Sequence, residues 1–118
     1  LLFGAGWKPG WSTDYVAVRF AERYNAASLV NLSDITHVYS EDPGVNPRAD
    51  RYDRISWVDF RKIVGDRWFP GWNGPFDPVA SKKAQEIGLH VAVISGTNLT
   101  SLENYLEGND FEGTLIQP

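Results

Sequence analysis

Apolar and polar positions along this chain switch between two periods. In STDYVAVRFAERYNA, Ala17, Phe20, Ala21 and Tyr24 recur at i, i+3, i+4 and i+7, which predicts one apolar helical face. Ser12 or Thr13 is placed to cap that helix, and Asp14 falls where the helix dipole favours a negative charge. ASLVNLS (27–33) is short and largely apolar, as buried strands are, and THVYS (36–40) follows as a brief extended piece. EDPGVNPRADRYD (41–53), with two prolines, a glycine and dense charge, reads as a surface excursion. Ser56 opens a helix in SWVDFRKIVG, with Asp59 as capping-box partner and Gly65 as stop. An aromatic, glycine-and-proline loop, DRWFPGWNGPF (66–76), leads to Asp77, which caps PVASKKAQEIG with Pro78 at the first helical position and Gly88 at the end. LHVAVIS (89–95) is a strand, Thr100 and Glu103 frame a short helix over 101–106 ended by Gly108, and GTLIQ (113–117) is a last strand.

The chain opens LLFGAG, an apolar tripeptide running into a glycine turn, which reads as the end of a buried strand entered partway. There is no methionine, so the expectation is that residues upstream are missing. Strands and helices alternate through the rest, which predicts a mainly parallel sheet covered by helices. In such sheets ligands bind beyond the carboxyl ends of strands, in loops that lead to helices. The opening loop and residues 33–42 both have that place in the chain order.

Bulk properties narrow the function. With 118 residues the chain is long enough for one domain and too short for two ordinary ones. A net charge of −4 disfavours a nucleic-acid partner, which selects a clustered basic face. No cysteine is present, so disulfides and cysteine-based metal sites are excluded. No apolar run approaches a membrane span and no leader is visible, so neither a membrane nor secretion is expected and the cytoplasm is the default.

Two stretches carry candidate chemistry. GAGWKPGWSTD (4–14) is a glycine-rich turn before a helix, where outward backbone N–H groups and the dipole suit an anion. Ser12 and Thr13 add hydroxyls, Lys8 a charge, and Trp7 and Trp11 ring faces for a base; the plainer alternative is a tight turn whose tryptophans seal the core edge. The stretch has neither the GxxxxGK[ST] phosphate loop nor the dinucleotide fingerprint, since Gly4, Gly6 and Gly10 have the wrong spacing. NLSDITHVYSEDP (31–43) offers a polar strand end at Ser33, an aromatic at Tyr39 and an acid at Asp42, a set suited to a base and ribose, or else an ordinary capped strand exit. Asp42, Asn46, Asp50 and Asp53 lack the glycine and closing glutamate of a calcium loop. His37 and His90, the only histidines, lie on different elements and argue against zinc, so no metal ligand set is assigned. No carboxylate pair is brought together by spacing alone.

Four segments, GAGWKPGWSTDYVAVRFAE, VNLSDITHVYSEDPGVNPRAD, FDPVASKKAQEIGLHVAVISG and LEGNDFEGTLIQP, resemble in order and spacing the C-terminal half of uridylate (UMP) kinases, within the amino acid kinase superfamily. The resemblance covers essentially all 118 residues. It implies a three-layer α/β/α sandwich with a mainly parallel sheet, residues 1–118 forming the C-terminal nucleotide-binding portion of an amino acid kinase domain. The implied reaction is ATP + UMP to UDP + ADP in pyrimidine biosynthesis, in an enzyme whose partners are small nucleotides and whose family assembles into hexamers. By resemblance Trp7, Lys8, Pro9, Gly10, Trp11, Ser12 and Thr13 meet UMP, and Ser33, Tyr39 and Asp42 meet ATP. By the same resemblance Asp14 matches a family acid near the phosphate centre, Asp77 matches the acid of the family's D-x-x-A-A segment (here DPVAS), and Mg2+ arrives with the nucleotide. The family's glycine-rich phosphate loop and catalytic lysine belong to the other half, so the piece alone is expected to be nearly inactive. Thr36 and His37 stand where the family usually has Asp-Gly, and Trp7 and Lys8 replace small or polar residues. Two other readings remain: a non-catalytic regulatory or storage member of the fold, and an unrelated module whose Trp7, Trp11, Trp68 and Trp72 form an aromatic platform for sugar or peptide.

Overall fold

A computed structural model describes residues 12–33, 35–41, 45–65 and 75–118. Helix α1 (Thr13–Arg23) leads into strand β1 (Ser28–Ser33), and two short strands, β2 (Val38–Tyr39) and β3 (Arg51–Tyr52), form an antiparallel ladder. Strand β4 (Arg54–Ser56) runs directly into α2 (Trp57–Val64). Helix α3 (Pro78–Ile87), β5 (His90–Ser95), α4 (Leu99–Leu106) and β6 (Thr114–Gln117) complete the order.

The main sheet has the order β1-β5-β6-β4. Its β1–β5 and β4–β6 pairings are parallel and its β5–β6 pairing is antiparallel, so the sheet is mainly parallel as expected. Strand β5 explains why the sheet has helices on both sides. Val91 and Val93 join one core cluster with Val18 and Ala21 of α1, Trp57 and Phe60 of α2, and Ala84 of α3. Alternation turns Ala92 and Ile94 to the opposite face, yet both are 0% exposed, and α4 packs against β5. A strand buried on both faces reads as an unbroken apolar run, which is why 89–95 was legible. Trp57 anchors the core: its indole N–H donates to the Leu89 carbonyl at 2.7 Å and its ring meets Phe60 edge-on at 5.8 Å.

Local chemistry sets most helix ends where the sequence places them. Ser12 caps α1, Ser56 accepts from the Asp59 N–H at 3.2 Å, and Gly65 ends α2 at φ +78°. Asp77 caps α3 ahead of Pro78, and Gly88 ends it in the left-handed region at φ +69°. Three expectations are corrected. The buried side of α1 is Val16, Val18 and Ala21; Tyr24 is 61% exposed and stacks on Phe20 at 6.4 Å. The periodic template weighted aromatic size, whereas these two rings cover each other outside the core. Helix α4 starts at Leu99 under an Asn98 cap, not at 101 under Thr100, because the Asn98 carboxamide reaches the Ser101 N–H at 3.1 Å. The excursion over 41–53 contains β3, and β4 follows it; each strand is so short and charged that only its pairing partner reveals it. The opening strand and most of the second aromatic loop lie outside the described residues.

Thr114, fully buried at the start of β6, fastens the β2–β3 ladder to the main sheet. Its hydroxyl accepts from the Val38 N–H at 2.8 Å and donates to the Tyr52 carbonyl at 2.5 Å. Thr114→Val keeps the shape and strands both buried backbone groups, so it is expected to lower the unfolding free energy by about 1–3 kcal/mol, read by urea denaturation, with Thr114→Ser retaining most of the stability.

Candidate functional site

Strands β1 and β5 run parallel and end side by side, Ser33 opposite Ser95, with the Gly96 N–H donating to the Ser33 carbonyl at 2.8 Å. The Ser33 hydroxyl accepts from the Ile35 N–H at 3.3 Å and turns the chain out of the sheet. Two residue pairs earlier, the Asn31 side chain donates to the Pro75 carbonyl at 3.0 Å and holds the approach to α3 against β1. A polar residue at the middle of an otherwise apolar strand was the signal for this tie, and sequence reading passed over it.

At this end of the sheet the amino termini of α1 and α3 are bonded to each other. Asp77, 2% exposed, accepts through Oδ1 from the N–H groups of Val79 at 2.6 Å and Ala80 at 3.1 Å. Its Oδ2 accepts from the Ser12 hydroxyl, and Ser12 in turn accepts from the Tyr15 N–H at 3.1 Å as the cap of α1. In the reverse direction the Asp77 N–H donates to Asp14 Oδ2 at 3.0 Å. Two caps and one first-turn acid therefore form a single lock across 63 residues of chain. No sequence spacing signals a pair so far apart, which is why no carboxylate pair was expected. Farther along the same helices, Lys83 Nζ meets Glu22 Oε2 at 2.9 Å.

Electrostatics sets the protonation of the lock. Burial pushes the Asp14 carboxyl above its ordinary value of 3.8, the hydrogen bond from the Asp77 backbone opposes this, and the nearby Asp77 carboxylate adds to the rise. The effect on a carboxylate at a helix start is opposite to that of the dipole alone.

Of the residues singled out in the sequence, Ser12, Asp14 and Asp77 are brought into one cluster, Thr13 opens α1 beside them, and Ser33 ends the strand tied to it. Tyr39 lies on β2, half-buried, opposite Arg51, and no hydrogen bond among the described residues joins it to the lock. Trp7, Lys8, Pro9, Gly10, Trp11 and Asp42 lie outside the described residues, as do Trp68 and Trp72. Two of the groups considered for calcium serve other contacts: Asn46 Oδ1 accepts from the Arg48 N–H at 3.0 Å, and Asp53 faces His37 and Arg51. No group of three or more metal-ligating side chains occurs among the described residues. None of their helices is long and apolar enough to cross a membrane.

Comparison with known proteins supplies a frame for this geometry. A model of the amino acid kinase family matches residues 9–95. The uridylate kinase of Methanospirillum hungatei is 35% identical over 112 residues, covering 94% of this chain and 48% of that protein. That of Hyperthermus butylicus is 31% identical over 116 residues, covering 98% of this chain and 51% of that protein. The chain thus spans about half the length of these curated relatives. Among solved structures, uridylate kinase from Archaeoglobus fulgidus superposes with a TM-score of 0.77 at 32% identity, over 94% of this chain and 49% of its own. UMP kinase from Bacillus anthracis, at 22% identity and a TM-score of 0.79 over 93% of this chain and 42% of its own, shares the fold.

The raised Asp14 value has a measurable sign. The folded chain holds the Asp14 proton to higher pH than the unfolded chain, so the contribution of Asp14 to stability is greatest below pH 3.8 and falls as pH rises through the raised value. Asp14→Asn keeps an oxygen for the Asp77 N–H and cannot ionise. Urea titrations are expected to find the variant more stable than the parent at pH 7, with the gap closing towards pH 4; a constant gap contradicts this account.

Proposed function

This chain belongs to the amino acid kinase family, and we propose that it is the C-terminal, nucleotide-binding portion of a UMP kinase that transfers a phosphoryl group from ATP to UMP, giving UDP and ADP. The observation that carries the reading is the Ser12–Asp77–Asp14 lock, which holds two helix amino termini together beside the end of β1. Phosphoryl transfer asks a protein to align two phosphates and neutralise spreading charge, with little covalent work. Two converging helix starts suit that task through their partial positive charge, although the first-turn N–H groups of α3 are already taken by Asp77.

In this reading the loop of Trp7, Lys8, Pro9, Gly10, Trp11, Ser12 and Thr13 holds UMP, and Ser33, Tyr39 and Asp42 hold ATP. Asp77, whose two oxygens are both occupied, is a positioning residue that sets Ser12 and the first turn of α3. Asp14 has one oxygen with no hydrogen-bond partner among the described residues, so it is the acid left to orient a lysine or a magnesium ion arriving with ATP. Bound magnesium would supply charge neutralisation on the transferred phosphate. The replacement of Asp-Gly by Thr36 and His37 does not argue for the non-catalytic alternative. Asn25 is the one non-glycine residue with positive φ among those described, so no left-handed turn is needed at 36–37, and β2 forms with Val38 fastened to Thr114. A homo-oligomer in the cytoplasm completes the proposal.

The test is the full-length gene product assayed with Mg-ATP against UMP, CMP and small carboxylic acids. UMP is the expected acceptor; phosphorylation of a carboxylate or carbamate without UMP removes the assignment. Tyr39→Ala is expected to raise KM for ATP about tenfold, from lost base stacking, while KM for UMP stays within about twofold.

A further inference from the structure

A second concavity lies apart from the helix-end lock: an open groove of about 940 Å³ between the β2–β3 ladder and α4 with the loop after it. Ser12, Ser33, Tyr39 and Asp77 do not line it. His37 does, although it is only 3% exposed, and its Nδ1 has no hydrogen-bond partner among the described residues. Its Nε2 is 3.5 Å from Asp53 Oδ1. Burial and the neighbouring Arg51 hold the ring below the ordinary imidazole value, so it is neutral near pH 7 and carries one N–H. The carboxylate beside Nε2 favours the hydrogen there, which leaves Nδ1 an acceptor with nothing to accept. A buried polar atom in that condition is uncommon and asks for a partner.

The facing wall has the matching chemistry. The side chains of Thr100, Asn104 and Tyr105 line the groove and make no hydrogen bond among the described residues. The Tyr105 ring packs edge-on against Phe111 at 5.0 Å, which gives a fixed aromatic surface. Charge argues against an anion. Arg51 faces Asp53 at 3.9 Å, leaving Arg54 against Asp110 and Glu112.

We infer that this groove binds a neutral small molecule with a planar ring and hydroxyl groups, of the nucleoside class. Its ring lies along Tyr105 and Phe111, and its hydroxyls or ring N–H meet Thr100 and Asn104. The volume suits a molecule of that size. The site differs from the nucleotide contacts proposed above and stands whether or not UMP proves to be the acceptor.

The experiment is calorimetric titration of the full-length gene product with uridine and with adenosine, after saturation with a non-hydrolysable ATP analogue and UMP. At least one nucleoside is expected to bind saturably at one site per chain. Asn104→Ala, on the surface of α4, and Tyr105→Ala are each expected to weaken binding about tenfold, with the circular dichroism spectrum of Asn104→Ala unchanged. No binding, binding abolished by prior nucleotide saturation, or binding indifferent to Asn104→Ala overturns the assignment. A nucleoside monophosphate that depends on Asn104 and binds tighter than its nucleoside overturns the neutral ligand class.

Discussion

One buried carboxylate organises this molecule. Asp77 accepts two backbone N–H groups of its own helix and the hydroxyl that caps another, while its backbone N–H is taken by Asp14. A carboxylate removed from water is costly unless its oxygens are satisfied, and a helix start is costly unless its N–H groups are. Here each requirement meets the other. Separate caps contribute about 1 kcal/mol each. A shared one also fixes the distance and angle between two helices, as the proposed phosphoryl transfer would require.

A second constraint aligns the remaining candidate contact. Tyr39 sits on a two-residue strand, too short to hold a position alone. Thr114 makes it part of the sheet by bonding the backbone on both sides of the ladder, at Val38 and Tyr52. The next residue back is Gly113, where a Cβ would approach the Val93 carbonyl to 2.4 Å. The loop from α4 therefore presses onto β5 as closely as a backbone can, and the GT pair at the start of β6 is a packing necessity in this fold.

These two constraints explain what could be read from the chain. Caps are local, so Ser12, Ser56 and Asp77 with Pro78 and Gly88 were legible from a few neighbouring residues. Strand β5 was legible because both of its faces are buried. The rotation of α1 was not, since Phe20 and Tyr24 look core-seeking until their mutual stacking is known. Strand β3 owes its existence to its ladder with β2, and β4 to a partner far along the chain, Arg54 and Ile55 pairing with Leu115 and Ile116. In the site, residue types suggested Ser12, Asp14 and Asp77 separately; only tertiary structure joins them, across 63 residues. Legibility thus failed both where partners lie far apart in sequence and where a local pair, Phe20 and Tyr24, shields itself outside the core.

The lock also indicates what chemistry this chain can contribute to a reaction. Two helix starts together supply on the order of one positive charge, and Asp14 and Asp77 offset it. Among the described residues no cationic side chain is bonded into the lock, and Lys83, on α3, is committed to Glu22. What remains is orientation: hydroxyls, backbone donors and one partly free carboxylate held rigidly in place. Phosphoryl transfer, as proposed here, also needs cations, which the lock does not supply. That division agrees with a chain that spans about half the length of the uridylate kinases it resembles. In the function proposed, this rigid portion would set where two nucleotides meet, and most of the charge for their reaction would come from outside it.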